Sequence, residues 1–353
     1  MKNKILFLFA IIFCGCGSRG LTPLKDIPLN LPKIEILVNK EDFRGYILLR
    51  KTDSPGMMFM VNSLGEVVWY QKSDTALNRV FKPYPNSYVA LDSKSDLIEM
   101  SYEGDTLNHL KFGMAGYDRL LHHDLIKDGN DYVALTHEIL PINLMAFGGL
   151  DQDTIRHDGI VKLSSDGKKI WSWSLSDHLD PLMNPDILKN KIDWGHANAL
   201  ELDIDGNYLI SFRKFDEIWK IDSETGSVIW KYGGISIEND SNRFYGQHSI
   251  NLDLSGDYLL FDNGDRRYRK TSRGFAFRAN NNSFLNTLII ELPDSLFSWK
   301  QGSVYQFQEG RYLFNSTMRK KIIITNKLGD ILWMARTSEE FYRAYYIDEL
   351  TMH

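Results

Sequence analysis

The stretch Asp205-Gly206-Asn207-Tyr208-Leu209-Ile210-Ser211 joins a tight polar turn to a tyrosine and a short apolar run. Such a pattern is typical of a β-hairpin that turns and enters a half-buried strand. The same phrase, a turn of small or polar residues followed by Tyr and mostly apolar residues, recurs along the chain. Its six copies are centred on Tyr46, Tyr88, Tyr132, Tyr208, Tyr258 and Tyr312.

A second phrase alternates strictly with the first: a turn, usually with Gly, and then an apolar strand that often ends in Trp. Each pair of phrases describes two hairpins and therefore one four-stranded antiparallel unit. Six such units predict an all-β fold, a six-bladed β-propeller of four-stranded antiparallel blades, and the strict alternation argues against a β-sandwich. The second phrase occurs at 64–69, 103–107, 166–171, 225–230 and 328–333, with a weaker copy at 285–290.

Two stretches interrupt this alternation. Residues 180–190 are expected to form a short helix or loop, inserted before the second of three histidine motifs. Residues 140–155 are expected to form a loop that covers one end of the propeller channel. Helical signal is otherwise scarce, which agrees with an all-β domain.

The N-terminus predicts an export signal. Lys2 and Lys4 precede an apolar run over 5–13 that is too short to span a bilayer as a helix. Cys16 follows small Gly15 in a pattern that resembles a bacterial lipobox. We therefore expect a signal peptide at 1–15, a lipidated Cys16, a linker with one leading strand over 16–40, and the propeller over 41–353. A lipid-anchored protein of the bacterial cell envelope, facing the periplasm or the cell surface, follows from this reading.

Charge and cysteine content narrow the classes of partner and site. The formal net charge is −5, and removal of two signal-peptide lysines makes it −5 − 2 = −7, which argues against a nucleic-acid partner. Cys14 and Cys16 are the two cysteines of the chain. The mature protein is thus expected to have no disulfide and no cysteine-based metal site. The sequence leaves the oligomeric state open.

Three histidine motifs precede three consecutive copies of the tyrosine phrase. They are His122-His123-Asp124, Asp193-Trp194-Gly195-His196-Ala197-Asn198 and Gln247-His248. His123, His196 and His248 lie 9, 12 and 10 residues before the repeated tyrosines. In a propeller this register places them near the start of three neighbouring inner strands, at one mouth of the channel.

Each inner strand is followed by a second strand that runs back antiparallel to it. The ends of these second strands should therefore reach the same mouth of the channel. Five residues after the repeated tyrosines stand four polar residues: His137, Arg213, Asn263 and Thr317. Trp194, His196 and Asn198 alternate, so they are expected to share one face of a strand.

The chemistry of this cluster favours an oxyanion. Three imidazoles are a frequent zinc set, so zinc is a real competitor, but a guanidinium beside a dication is costly. Arg213 instead offers a fork of donors to a tetrahedral anion, to which imidazolium and Asn add further donors. A neutral imidazole also acts as a nucleophile at ambient pH. We therefore expect neither a metal nor another cofactor.

Taken together, the motifs resemble those of the bacterial arylsulfate sulfotransferases, enzymes that work without a nucleotide sulfate donor. The resemblance covers most of residues 43–335, and its family fold is a six-bladed propeller. Besides the three histidine motifs, it rests on Ser211-Phe212-Arg213, Thr225-Gly226 with Trp230-Lys231-Tyr232-Gly233-Gly234, and Asp262-Asn263-Gly264.

The resemblance implies a ping-pong transfer of a sulfuryl group from a phenolic sulfate donor to a phenol acceptor. By this resemblance His248 attacks the sulfur, and His123, His196 and Arg213 hold the sulfate oxygens. His122 competes with His123 for that role; His123 is preferred because it directly precedes Asp124. Other polar residues of the mouth are expected to bind substrate or support the catalytic ones. This set is Asn198, Asn263, His137, Thr317 and His122.

Two other functions stay open from the sequence. One is a lipid-anchored propeller that binds a ligand or assembles other proteins and has lost its chemistry. The other is hydrolysis of the sulfate ester, with water in place of the phenol. Loop position further suggests contacts to an aryl ring from Phe147, Phe244 and Tyr245.

Overall fold

The computed structural model of the protein describes residues 21–73, 75–114, 116–234, 242–281, 283–348 and 350. Within them the chain forms six antiparallel sheets, one of five strands and five of four strands. This arrangement confirms the six-bladed β-propeller. The expected signal peptide and Cys16 lie outside the described residues.

The first half of the chain supplies most strands of three blades. β1 (Ile34–Asn39) precedes them. Blade 1 contains β2 (Tyr46–Lys51), β3 (Met57–Val61) and β4 (Val67–Lys72). Blade 2 contains β5 (Leu77–Pro83), β6 (Ser87–Asp92), β7 (Leu97–Ser101) and β8 (Thr106–Leu110). Blade 3 contains β9 (Leu121–Asp128), β10 (Asp131–Ile142), β11 (Asp153–Leu163) and β12 (Lys169–Ser174).

The second half continues the same order. Blade 4 contains β13 (Ala197–Leu202), β14 (Tyr208–Phe212), β15 (Glu217–Ile221) and β16 (Val228–Gly233). Blade 5 contains β17 (His248–Leu252), β18 (Tyr258–Asp262), β19 (Arg273–Asn280) and β20 (Ser283–Glu291). Blade 6 contains β21 (Ser303–Gln308), β22 (Arg311–Ser316), β23 (Lys321–Asn326) and β24 (Ile331–Thr337). β25 (Tyr345–Ile347) is the last strand described.

Both ends of the chain close the ring. β25 pairs with β2 and so supplies the inner strand of blade 1. β1 pairs with β24 and adds a fifth, outer strand to blade 6. Blades 1 and 6 are therefore each completed by a strand from the opposite end of the chain, which joins the termini without covalent linkage.

The apolar core is divided among the blade interfaces. Six clusters of buried side chains each combine residues of two neighbouring blades, as Trp173 and Trp219 do between blades 3 and 4. Burial of these faces from water is the main stabilising term, and it holds each blade to its neighbours.

The repeated tyrosine and tryptophan phrases have a physical role in these interfaces. The hydroxyl of Tyr208 donates to Asp128 of the preceding blade at 2.8 Å, and that of Tyr258 donates to Asp203 at 2.7 Å. The Trp333 indole donates to the carbonyl of Ser63 across the blade 6 to blade 1 interface at 2.7 Å. Each large ring fills the gap between blades while its polar end finds a partner on the next one.

The two interrupting stretches behave differently from each other. The insertion at 180–190 contains a 3₁₀ turn and a one-turn helix, α1 (Ile187–Asn190), as expected. The prediction of a loop over 140–155 is wrong at both ends, because Leu140 pairs with Ile155 in an extended β10–β11 hairpin. Phe147 packs against the core between blades 3 and 4.

Among the described residues, no helix is both long enough and apolar enough to cross a membrane.

Candidate functional site

Three neighbouring inner strands bring the histidine motifs to one mouth of the channel. His122 and His123 lie in β9, His196 directly precedes β13, and β17 begins at His248. The ring centroids of His123 and His196 are 5.1 Å apart. Burial is the main cause that lowers the pKa of His123, and charge on His196 or His248 lowers it further, which places His248 near the other two rings. The structure therefore gathers His123, His196 and His248 into one group.

The inner strands do not enter the blades in regular β conformation. His123 and His196 both have φ of 53°, and Ser249 has φ of 60°. Irregular pairing at the start of all three strands accompanies these values. Bulges and left-handed residues re-aim side chains at a cost of about 1–3 kcal/mol each, and such strain is frequent at functional sites.

Gly195 shows why the second motif contains glycine. Its φ is 93°, and a Cβ there would lie 2.7 Å from Oδ2 of Asp158 and 2.8 Å from Leu175. The expectation that Trp194, His196 and Asn198 share a strand face is wrong, because the strand begins only after His196. Trp194 is instead buried in the core between blades 3 and 4.

His248 is held in one orientation and one tautomer. Its Nδ1 lies 2.7 Å from Oδ1 of Asn263 and 2.9 Å from the Gly246 carbonyl, both acceptors. The Asn263 amide is itself oriented, since its Nδ2 donates to the carbonyls of Ser298 and Gln301 at 2.7 Å each. The proton of a neutral His248 must therefore sit on Nδ1, and the lone pair on Nε2 accepts a hydrogen bond from the Gln301 backbone N–H at 3.2 Å.

Burial determines the charge of His248. The side chain is almost fully buried, which lowers its pKa, and the Arg213 guanidinium lowers it further. The hydrogen bond with Asn263 acts in the opposite direction, and the resulting pKa is about 3. His248 is therefore a neutral imidazole at ambient pH.

Gln247 fixes the backbone that carries His248. Its side-chain amide donates to Ser211, to Phe212 and to Glu217 of blade 4, at 3.0–3.2 Å. The Gln247 backbone carbonyl accepts from the Asn198 side-chain Nδ2 at 2.7 Å. Gln247 and Asn198 together lock the start of blade 5 against blade 4.

His196 pairs with an acid three residues earlier. Its Nδ1 is 2.6 Å from Oδ2 of Asp193, and Lys214 Nζ lies 3.5 Å from the same oxygen. Burial raises the pKa of Asp193, but the His196 hydrogen bond and the Lys214 charge outweigh it, so the pKa is lowered overall. An ionised Asp193 keeps a proton on Nδ1 of His196 and turns Nε2 away from the acid.

His122, His123 and His137 form a continuous group in blade 3. The Nδ1 atoms of His122 and His123 are 2.7 Å apart, and the ring of His137 stacks on that of His122 with centroids 3.7 Å apart. His122 Nε2 is buried without a hydrogen-bond partner and lies 3.4 Å from Oδ1 of Asp158. Burial lowers the pKa values of His122 and His123 well below the usual range.

His122, His137 and Asp158 offer three ligand atoms within 4.8 Å of one another, which is metal-ligand spacing. The stacking geometry does not suit one ion, however. The two imidazole planes are inclined by only 9°. A metal lies near the plane of each ligating ring, and parallel stacked rings do not share such a point. The group is better described as a stacked imidazole pair beside a carboxyl.

Arg213 stands at the end of β14, where its backbone N–H donates to the His196 carbonyl at 3.0 Å. Its Nη2 lies 3.5 Å from the Trp299 carbonyl. Among the described residues, no carboxylate lies within ion-pair distance of this guanidinium. Gly246 has φ of 57°, and a Cβ built at this glycine would lie 3.9 Å from the Arg213 guanidinium. The missing side chain therefore leaves the guanidinium room. Arg213 therefore has donors available for an anion beside His248.

Unlike Arg213, Thr317 does not offer its hydroxyl to an anion at the histidines. It is fully buried, and its hydroxyl donates to the Phe341 carbonyl at 2.8 Å. Of the three suggested aryl contacts, Phe147 and Phe244 pack against or within the core. Phe244 is part of the core between blades 4 and 5, whereas Tyr245 lines a cleft beside Arg213.

Sequence reasoning missed several charged residues at the mouth. Arg79 of β5 lowers the pKa of His123, and its guanidinium lies 5.7 Å from the centre of the Tyr342 ring. Arg343 crosses the channel to Asp124 at 2.8 Å and to the Asn198 carbonyl at 3.0 Å. Neither belongs to a histidine motif, and no local signal marks them. Asp193 was visible in the second motif, and its spacing from His196 was the available clue.

The profile of the arylsulfotransferase (ASST) family matches residues 33–327, which is most of the chain. The chain belongs to this family. The resemblance inferred from the histidine motifs is thereby confirmed, and membership supports an arylsulfotransferase function with a sulfate donor and a phenol acceptor. No curated protein matches the chain.

Solved structures add information on the fold alone. A protein of unknown function from Bacteroides caccae aligns with a TM-score of 0.53 at 12% identity, over 86% of this chain and 100% of that one. A chain of the nidogen/laminin complex aligns with a TM-score of 0.50 at 11% identity, over 85% and 97%. Both are similar in architecture to the present ASST propeller.

Proposed function

We propose that this protein transfers a sulfuryl group from a phenolic sulfate ester to a phenol by a ping-pong mechanism, without a nucleotide donor. His248 Nε2 attacks sulfur, the S–O bond to the donor phenol breaks, and a sulfohistidine forms. The acceptor phenol oxygen then attacks the same sulfur and the N–S bond breaks. The observation that carries this proposal is His248: a buried neutral imidazole whose Nδ1 proton is committed to Asn263.

The surroundings of His248 suit a transferring sulfuryl group. Arg213 has no carboxylate partner among the described residues, and His196 and His123 stand close by. A preorganised guanidinium and imidazole N–H groups stabilise charge that spreads over the sulfuryl oxygens in the transition state. Positioning and electrostatics supply most of the rate in the related transfer of phosphoryl groups.

His122 and His123 are suited to move the proton of the phenol. The Nδ1 atoms of His122 and His123 are 2.7 Å apart, so one proton lies between them. If that proton belongs to His122, the neutral His123 ring carries its own proton on Nε2. That proton goes to the departing phenolate oxygen, His123 takes the shared proton, and Asp158 reprotonates His122. Burial raises the pKa of Asp158 well above the usual range, which favours the protonated form from which this sequence starts. Deprotonation of the acceptor phenol runs the same path backwards.

One experiment separates transfer from hydrolysis and from a non-catalytic propeller. The purified protein is incubated with 4-nitrophenyl sulfate, with and without a phenol, and its intact mass is measured. We expect nitrophenol release that depends on the phenol and a protein adduct of one SO₃ unit. Turnover without phenol would indicate a sulfatase, and the absence of both release and adduct would exclude the enzyme.

The pH dependence of adduct formation provides a second test. Since the neutral form of His248 attacks, and burial with Arg213 lowers its pKa to about 3, the reactive fraction stays complete from neutral pH down to about pH 4. The yield of SO₃ adduct per protein molecule should therefore fall only when the pH drops below about 4. Quenched single-turnover mass spectrometry between pH 4 and 8 measures it. A loss with a midpoint near 6.5, as for an exposed histidine, would contradict this assignment.

The proposed proton path predicts a leaving-group effect. His122→Asn should slow transfer from phenyl sulfate, whose phenolate leaves poorly, by about 10²-fold, and transfer from 4-nitrophenyl sulfate by about tenfold or less. Presteady-state release of each phenol gives the two rates. His109→Asn, which changes an exposed histidine paired with Asp96, is the control. An equal loss for both donors would show that His122 has only a structural role.

A further inference from the structure

A cleft of about 690 Å³ opens beside Arg213 and extends away from the histidines. Its walls carry more cations than acids. The cations are Arg213, Lys214, Arg266, Arg267 and Arg319; the acids are Asp216 and Asp265. A transferred sulfuryl group needs only the cation beside His248, so the rest of this charge is unexplained by the chemistry of transfer.

The acids of the cleft are already engaged. Asp265 pairs with Arg267, with Oδ2 2.9 Å from Nε of that arginine. Asp216 accepts from the Gly246 backbone N–H at 2.6 Å. Neither acid makes an ion pair with Arg213 or Arg319. Lys214 lies 3.5 Å from Asp193 and Arg266 lies 3.4 Å from Asp294, so these two cations also have acid partners. Among the described residues, Arg213 and Arg319 are the cleft cations without one.

Arg213 and Arg319 stand at the two ends of one short loop. Arg319 Nε donates to the Phe297 carbonyl at 3.0 Å, and Arg213 Nη2 lies 3.5 Å from the Trp299 carbonyl. These carbonyls are two residues apart, which is at most about 7 Å of chain. Among the described residues, neither guanidinium has a carboxylate within ion-pair distance. Both guanidiniums contact one short segment of chain, residues 297–299.

Aromatic side chains line the same cleft as the two arginines. The Trp299 side chain lines the cleft and is 48% exposed, which is unusual for so large an apolar group. Tyr245 and Phe297 line the same cleft. An exposed indole in a concave site is a frequent contact for an aryl ring.

We propose that the cleft binds an aryl sulfate donor that carries a second anionic group, such as a carboxylate, at the end of the ring remote from the ester. Arg213 takes the sulfate, Trp299 contacts the ring, and Arg319 takes the second anion. This inference rests on the proposed function and specifies its substrate class. A single fork of charge-assisted hydrogen bonds to the second anion corresponds to a preference of about tenfold.

The test compares 4-carboxyphenyl sulfate with its methyl ester as donors to one phenol acceptor. The two phenols differ as leaving groups, so the quantity compared is the kcat/KM ratio of the two donors in each variant. We expect this ratio to fall about tenfold in Arg319→Gln and to recover in part in Arg319→Lys. Arg336→Gln removes an exposed arginine paired with Glu35 and should leave the ratio as in the unmodified protein.

Binding of a donor analogue that cannot react separates this inference from the transfer reaction. Calorimetry compares 4-sulfobenzoate with methyl 4-sulfobenzoate. A preference for the dianion that Arg319→Gln abolishes supports the site, even if neither sulfate ester is turned over and the proposed function fails. Turnover of both esters with an unchanged ratio in Arg319→Gln overturns the inference and leaves the proposed function intact. Equal binding of both sulfonates also overturns it.

Discussion

His248→Ala is expected to abolish the SO₃ adduct and to reduce phenol-dependent transfer by roughly 10⁴- to 10⁶-fold, the loss that follows removal of a covalent nucleophile. The reason is that Nε2 of His248 is the one protein atom that bonds to sulfur in the proposed mechanism. Asn263 and Gly246 accept the Nδ1 proton, so Nε2 carries a lone pair. In this structure that lone pair accepts a hydrogen bond from the Gln301 backbone N–H at 3.2 Å, which the attack on sulfur must replace. Intact mass after incubation with 4-nitrophenyl sulfate and initial rates of nitrophenol release measure the two effects.

The variant also permits a positive test. Removal of the buried ring leaves space that free imidazole fits, and imidazole as a soluble nucleophile should restore part of the transfer. His178→Ala, which removes a histidine stacked on Trp173 outside the cluster, is the matched control and should keep the adduct. An adduct that persists in His248→Ala would place the nucleophile on another residue, with His123 or His196 as the next candidates.

The number of blades was predictable because each blade packs against its neighbours with the same kinds of residue at the same positions. A tyrosine hydroxyl on the second strand donates to an acid of the preceding blade in three copies of the repeat, at Tyr132, Tyr208 and Tyr258, and to Gln71 in the copy at Tyr88. The repeat then places the starts of inner strands around one axis. That step alone brings His123, His196 and His248 together, before any chemistry is considered.

The register at the mouth was less predictable. His248 pairs with Phe261, three residues after its tyrosine, and in blade 3 the equivalent partner of His122 is Leu135. His248 thus matches buried His122 in position, while His123 matches Ser249, the left-handed residue of blade 5. Bulges depend on tertiary packing, so a count of residues from the tyrosine has an error of about one position.

Charges from distant parts of the sequence were not predictable at all. Arg343 comes from the last blade-closing segment and reaches Asp124 across the channel. Arg319 lies two residues beyond Thr317, and the 3₁₀ turn from Thr317 to Arg319 buries the threonine while the arginine lines the cleft. A short irregular turn has no sequence period, so the strand repeat does not show which of its residues faces the site.

Arg213→Lys is expected to lower kcat/KM for transfer by about 10²-fold, and Arg213→Gln by about 10³-fold. Lysine keeps the charge beside His248 but loses the planar fork that matches two sulfate oxygens. Glutamine loses both. Because charge on the sulfuryl oxygens changes during transfer, the loss should be greater in kcat than in substrate binding, which initial rates over a range of donor concentrations resolve.

The same variants should shift the acid limb of His248. The Arg213 charge lowers the pKa of His248, so its removal in Arg213→Gln raises that pKa and moves the loss of adduct formation to higher pH. Arg213→Lys should retain most of the original profile, since it retains the charge. Arg278→Gln, on a side chain paired with Asp257 away from the mouth, should change neither rate nor profile. A large rate loss in Arg213→Gln without any shift of the acid limb would mean that Arg213 supports the fold of the loop rather than the charge at His248.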